Sequence, residues 1–144
     1  MLVRQILAMK GGGAVETISA GTGVADAVRL LSEKRIGALV VSDNGTSPLG
    51  IVSERDIVRE LGRRGQTVLG ETVADLMTKD LVNCTSDETA DQVLTKMTEG
   101  RFRHMPVMDG DDMIGLISIG DVVKARLSQL SMEKDALEGM IKGF

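Results

Sequence analysis

A chain of 144 residues, 42% hydrophobic and 26% charged, has the make-up of an ordinary soluble globular protein with one domain-sized core. Its net charge of −4 argues against a surface that holds nucleic acid through phosphate contacts, and with Phe102 and Phe144 as its only aromatic residues it lacks platforms for stacked bases. Any ring it binds must therefore lie between aliphatic side chains.

No apolar run approaches the roughly 18 residues that span a bilayer. The opening Met1-Leu2-Val3-Arg4-Gln5-Ile6 lacks a signal-peptide core. Cys84 is the single cysteine, so no internal disulfide can form, and a cytoplasmic location fits.

In chain order, the pattern predicts a helix over Val3–Ala8, a strand over Val15–Ile18 and a helix over Thr22–Lys34. Between the first two, Lys10-Gly11-Gly12-Gly13 lacks the Gly-Lys-Ser/Thr of a phosphate loop and reads as a connector. Within the second helix, Val24, Ala27, Val28 and Leu31 have the i, i+3, i+4, i+7 spacing of an amphipathic face. Strands over Ala38–Ser42 and Leu49–Val52 flank the turn signal Asn44-Gly45. A helix over Glu54–Leu61 follows, and Gly62-Arg63-Arg64-Gly65-Gln66-Thr67 has the punctuation of a linker.

The series then begins again. Helix Val73–Met77, strand Val82–Cys84 (Cys84 as a buried thiol), helix Glu88–Glu99 and strand His104–Met108 follow in the same order. The turn Asp109-Gly110, strand Met113–Ile117 and a helix from Ile119 onward complete the second copy. Ala90, Val93, Leu94 and Met97 repeat the first apolar face 66 positions later. Gly50-Ile51-Val52-Ser53-Glu54-Arg55-Asp56 recurs as Gly115-Leu116-Ile117-Ser118-Ile119-Gly120-Asp121, at an offset of 65 because one turn is a residue shorter. The chain is thus two copies of one unit. Neither has comfortable apolar surface alone, so the two are expected to pack together.

Ser53-x-x-Asp56 and Ser118-x-x-Asp121 each stand where a glycine-led strand runs into a helix, which is the signature of a capping box. A carboxylate so placed also suits two vicinal hydroxyl donors, and the two roles can coexist. Arg55 and Arg59 share a helix face and, with Arg63 and Arg64, form either a basic rim or a solvated face balanced by Glu54 and Glu60.

The β-α-β-β-α order, the doubled Gly-apolar-apolar-Ser-x-x-Asp phrase and Arg103-His104-Met105-Pro106-Val107 resemble the cystathionine-beta-synthase (CBS) domain. Two copies make a CBS pair, or Bateman module. The resemblance covers about Val3 to Arg126. It implies an α/β (α+β) fold of two tandem repeats packed sheet to sheet with pseudo-two-fold symmetry and an extended C-terminal helix. The corresponding boundaries are 1–64 for repeat 1, 65–72 for a linker, 73–127 for repeat 2 and 128–144 for the C-terminal helix.

The same resemblance implies a stand-alone regulatory module, not an enzyme, whose two clefts hold adenosine ligands such as AMP, ATP or NAD(H), with no metal. It carries a ribose-binding role onto Asp56 and Asp121 and a phosphate-reaching role onto Arg103 and His104, which read otherwise as a solvated arginine and a structural histidine. One cleft would combine Asp121, Ser118, Ile117, Arg103 and His104 with Val15, Ile36 and Gly37. The other would combine Asp56, Ser53 and Arg55 with Val82 and Phe102. Gly37-Ala38 replaces the basic pair and Gly120 replaces Arg55, so the clefts are expected to be unequal, with the Asp121 cleft the stronger phosphate binder.

Val123, Leu127, Leu130, Leu137 and Ile141 fall near a 3.5-residue period interrupted by Lys134. Two readings stay open, a helix that caps its own module and one that packs on a mate in a homodimer. For the whole chain, a nucleotide sensor acting on a partner enzyme, a transporter or its own dimer interface stands beside two alternatives. These are a structural dimer with lapsed pockets and a nucleotide-acting enzyme, the last opposed by the absence of a nucleophile–base pair.

Overall fold

The computed structural model describes residues 1–12 and 15–143. Its elements run α1 (Val3–Met9), β1 (Thr17–Ile18), α2 (Val24–Lys34), β2 (Ala38–Val41), β3 (Gly50–Ser53), α3 (Glu54–Arg64), α4 (Val73–Leu76), α5 (Ala90–Gly100), β4 (His104–Asp109), β5 (Asp112–Ser118) and α6 (Ile119–Ile141). A 3-10 helix, Gly65–Gly70, joins α3 to α4. This is the mixed α/β repeat architecture expected from the sequence, with a long terminal helix.

The chain resolves into two compact units, and they do not follow the order of the repeats. The first holds the described parts of 1–13, 83–108 and 115–144; the second holds the described parts of 14–82 with 109–114. The opening helix α1 thus belongs with α5, α6, residues 104–108 of β4 and residues 115–118 of β5. Helix α4, which opens the second copy, belongs with β1–β3, α2 and α3.

In the first unit, Val3 and Ile6 of α1 are buried in one core with Cys84, Val93, Met97, Met105, Val107, Ile117, Val122 and Ala125. Backbone bonds fix that placement: Val3 N donates to Glu88 O at 2.9 Å, and Ala90 N donates to Met1 O at 2.9 Å. The strands β4 and β5 form a two-stranded sheet. The strand expected over Val82–Cys84 contracts to a single parallel bridge, Cys84 to Val107. Cys84 N donates to Pro106 O at 3.0 Å and Met108 N to Cys84 O at 2.8 Å, whereas Val82 is 43% exposed and outside the ladder. Burial pushes the Cys84 thiol up to about 12, as befits an inert core thiol.

In the second unit, β1 pairs parallel with β2, and β2 pairs antiparallel with β3, in the register Leu39 to Val52 and Val40 to Ile51. Its core gathers Val24, Ala27, Leu31, Leu39, Val41, Val52, Ile57, Val68, Val73 and Leu76. Each glycine that leads the repeated phrase lies against its unit's borrowed helix segment. A Cβ on Gly50 would meet Met77 Sδ at 2.7 Å and Thr78 O at 2.8 Å, and one on Gly115 would meet Leu7 Cδ2 at 2.6 Å.

Gly45 (φ +84°) and Gly110 (φ +61°) sit at the hairpin turns anticipated at Asn44-Gly45 and Asp109-Gly110. Helix α3 runs three residues past Leu61, because Glu60 pairs with Arg64 one turn on (2.9 Å) and the backbone turns only at Gly65, with φ +74°.

Candidate functional site

Each repeat builds the same corner. In the first unit, β5 ends at Ser118, which caps α6: Ser118 Oγ accepts from Asp121 N at 3.1 Å, and Ser118 N donates to Asp121 Oδ2 at 2.8 Å. In the second unit, Ser53 Oγ accepts from Asp56 N at 3.2 Å, and Ser53 N donates to Asp56 Oδ2 at 3.0 Å. Both phrases are therefore full capping boxes. The same device recurs at the start of α5, where Thr89 and Gln92 cap each other.

The residue before each β2-type strand closes the corner through its backbone. Ile119 N donates to Arg103 O at 2.8 Å, and Glu54 N donates to Gly37 O at 2.9 Å. One position earlier the correspondence holds too, with Phe102 N on Met97 O and Ile36 N on Leu31 O, both at 3.2 Å. Phe102 and Ile36 are half-buried against their own cores. A Cβ on Gly100 would strike the Phe102 ring at 2.2 Å, so the ring packs against that bare backbone.

The two carboxylates differ in what holds them. Asp56 is 9% exposed, and its Oδ1 accepts from Arg59 Nη2 at 3.0 Å while its Oδ2 also accepts from Ser53 Oγ at 2.9 Å. At Asp121, Lys10 Nζ lies 2.8 Å from Oδ2 and also donates to Leu116 O at 2.7 Å. The Ser118 amide and the Lys10 ammonium thus meet on the same oxygen, Oδ2. Partial burial pushes the Asp121 carboxyl up, but the Lys10 ammonium and the Ser118 amide together outweigh it and hold the group below the usual carboxylate range.

Lys10 is the site residue that sequence reasoning missed. It stands at the C-cap of α1, and nothing in Lys10-Gly11-Gly12-Gly13 signals a partner more than a hundred positions on. Gly13 of that run lies outside the described residues.

Arg103 is exposed beside the first turn of α6, and His104 opens β4 half-buried. Ile117 is fully buried, so its side chain belongs to the core. Val15, Ile36, Gly37, Ser53, Arg55, Asp56 and Val82 lie in the second unit, and Ser118, Asp121, Phe102, Arg103 and His104 in the first. Val15 precedes β1 and is half-buried.

Arg55 is exposed in the first turn of α3 and makes no ion pair among the described residues. The rest of the supposed basic rim is largely neutralised. Glu60 lies within 3.8 Å of Arg59, 3.5 Å of Arg63 and 2.9 Å of Arg64, and Arg64 also pairs with Glu71 at 2.9 Å.

Two α/β repeats, each with a serine-capped helix whose aspartate stands at a strand-to-helix corner, define the class as a duplicated small-domain module. The chain belongs to the CBS domain family, which it matches over residues 4–63 and 73–128. It is 36% identical over 124 residues to the mitochondrial CBS domain-containing protein CBSX3 of Arabidopsis thaliana. That match takes in 83% of this chain and 60% of the relative's length, so this chain spans less than two thirds of it.

Among solved structures, a CBS-domain-containing protein of Agrobacterium tumefaciens is similar at 42% identity and a TM-score of 0.82, covering 87% of this chain and 92% of that one. The CBS domain pair of protein MJ0100, solved in complex with 5-methylthioadenosine and S-adenosyl-L-methionine, shares the fold at 22% identity and a TM-score of 0.77. It covers 90% of this chain and 98% of the other.

Proposed function

We propose that this CBS pair is a regulatory module that binds an adenosine nucleotide (AMP, ATP or NAD(H)) and passes its occupancy to a partner or to its own dimer interface. One observation carries the reading: a partly buried carboxylate at a strand-to-helix corner, Asp121, whose Oδ2 is anchored by Ser118 and Lys10, which leaves Oδ1 to receive a ligand's hydroxyls in this reading. A cis-diol offers two donors, and a preorganised acceptor oxygen receives them without first breaking a bond. For the phosphate the near cations are Lys10, on the carboxylate, and Arg103, exposed at the residue whose carbonyl accepts from Ile119 N. Gly120 leaves the approach open, since a Cβ there would meet only Ser118 Oγ at 3.6 Å. The adenosine ligands held by the MJ0100 pair support the reading, as a demonstration that this fold accommodates such molecules.

The Asp56 corner is the weaker of the two. There Arg59 occupies the second carboxylate oxygen and must swing away before a diol can bind. Titration calorimetry with AMP on the full chain tests both statements. Asp121→Ala should weaken binding by about ten-fold or more, the loss of charge-assisted hydrogen bonds, and Asp56→Ala should cost clearly less. Equal losses would overturn the inequality. No heat with AMP, ATP, NADH or S-adenosylmethionine would overturn the nucleotide reading itself.

A further inference from the structure

The distal half of α6 carries a pattern that its own unit leaves unused. Val122 and Ala125 face the core and are fully buried. On the other side, Val123, Leu127, Leu130, Leu137 and Ile141 are 42%, 62%, 46%, 60% and 85% exposed. With Lys134 they alternate by four and three residues: Val123, Leu130 and Leu137 take the d positions of a heptad, and Leu127, Lys134 and Ile141 the a positions. An exposed apolar seam of that length, broken only by Lys134, marks an interface.

We propose that this seam pairs with the same seam of a second copy as a short antiparallel coiled coil centred near Met132. The proposal rests on the self-association admitted above and adds its surface and orientation. Charge decides the orientation. A parallel pair would set Glu133, at g, against Glu138 of the mate, at e, twice over, and would stack Lys134 on Lys134 in one layer.

The antiparallel pair sets Val123 opposite Ile141, Leu127 opposite Leu137 and Leu130 opposite Lys134 of the mate, whose stem lies over the leucine while the ammonium reaches water. It brings Lys124 against Glu138 of the mate, again twice, and sets Glu133 against Glu133 of the mate once at the two-fold axis, with both copies' Lys134 beside them, so two attractive contacts and one repulsive one replace the parallel pair's two repulsive ones. Lys124 and Glu138 are both exposed, Glu138 lying 3.8 Å from Lys134 of its own helix. So short a coil is marginal between isolated peptides. Here α6 is already formed, capped by Ser118, buried at Val122 and Ala125, and tied by Arg126 to Asp91 at 3.2 Å, so pairing bears no nucleation cost.

Sedimentation equilibrium on the full chain provides the test. The wild type should be a dimer, and Leu137→Glu, beyond the packed core, should shift it to monomer with an unchanged far-ultraviolet circular dichroism spectrum. Lys124→Glu should weaken the dimer about ten-fold or more as two attractive pairs become repulsive, and adding Glu138→Lys should restore it. Nitroxides on Lys142→Cys should lie roughly 30 Å apart at 1.5 Å per residue in the antiparallel pair, against roughly 10 Å in a parallel one. Cys84, buried with its thiol pushed up to about 12, does not take the label. A dimer unmoved by Leu137→Glu, or a short label distance, overturns the proposal and leaves self-association standing. A monomeric wild type overturns both.

Discussion

At the scale of single residues, the capping boxes explain why Ser53, Asp56, Ser118 and Asp121 recur whether or not a ligand is bound. A serine that accepts from the third helical amide contributes about 1 kcal/mol, and the aspartate returns the bond to the serine's own amide. What distinguishes the corners is the cation each recruits. Arg59 comes from the same helix turn as Asp56, whereas Lys10 comes from the other end of the sequence to reach Asp121. The Asp121 carboxyl titrates below its ordinary value, so the folded state binds its proton less readily than the unfolded chain does. Its contribution is therefore fully present above the unfolded value of about 3.9 and is lost as pH falls through the lower folded one. Replacing Lys10 with Met removes the main source of that depression. Thermal melts from pH 7 to pH 3 should show Lys10→Met below the wild type at neutral pH, with the gap closing as the medium becomes acid. A gap that stays constant across the series would mean that Lys10 acts through packing alone.

At the scale of elements, the glycine heading each repeated phrase is a matter of space, since both leave room for a borrowed helix segment. The two are not equally strict. A Cβ on Gly50 meets the backbone carbonyl of Thr78, which also bonds Ile51 N at 3.0 Å, so the strand itself would have to shift. On Gly115 the obstacle is the far end of Leu7, a side chain with other rotamers. Gly50→Ala should therefore cost about 2–3 kcal/mol and Gly115→Ala about 1 kcal/mol, measured by urea unfolding; the reverse order would contradict the geometry. The helices and hairpins were legible because their signals are local: apolar periodicity for α2 and α5, Asn-Gly and Asp-Gly for the turns, Ser-x-x-Asp for the caps. The Val82–Cys84 strand was overread because its flanks are polar and only Cys84 reaches the ladder. Lys10 stayed hidden because no local pattern couples position 10 to position 121. Gly62 read as punctuation although it lies inside α3, where the Glu60–Arg64 pair carries the helix past it.

At the scale of the whole molecule, the sequence shows two consecutive copies, but the folded chain exchanges their opening helices. Nothing in the hydrophobic pattern distinguishes α1 packing on its own repeat from α1 packing on the other, because the two cores are built from equivalent residues. The backbone decides it: Val3 bonds Glu88 in one unit, and Val24 N donates to Glu71 O, as Val73 N does to Thr22 O, in the other. The exchange places the first residues of the chain in the core that supports Asp121, and makes the 73–77 segment a support for the sheet that leads to Asp56. Stability should follow the folded units and not the repeats. Ile6, 1% exposed, and Val73, fully buried, are matched probes of this. Ile6→Ala should cost about 2–4 kcal/mol by opening a cavity, and native-state hydrogen exchange should show protection lost first in α5, α6 and β4 while β2 and β3 keep theirs. Val73→Ala should do the converse, loosening β2, β3 and α2 before α5. If Ile6→Ala instead released the amides of β2 and β3 first, the first helix would be stabilising its own repeat and the exchanged arrangement would be wrong. The same variant bears on function, because loosening α1 detaches Lys10 from Asp121: weakened AMP binding in Ile6→Ala, with the Asp56 corner unaffected, would place the N-terminal helix among the determinants of the site.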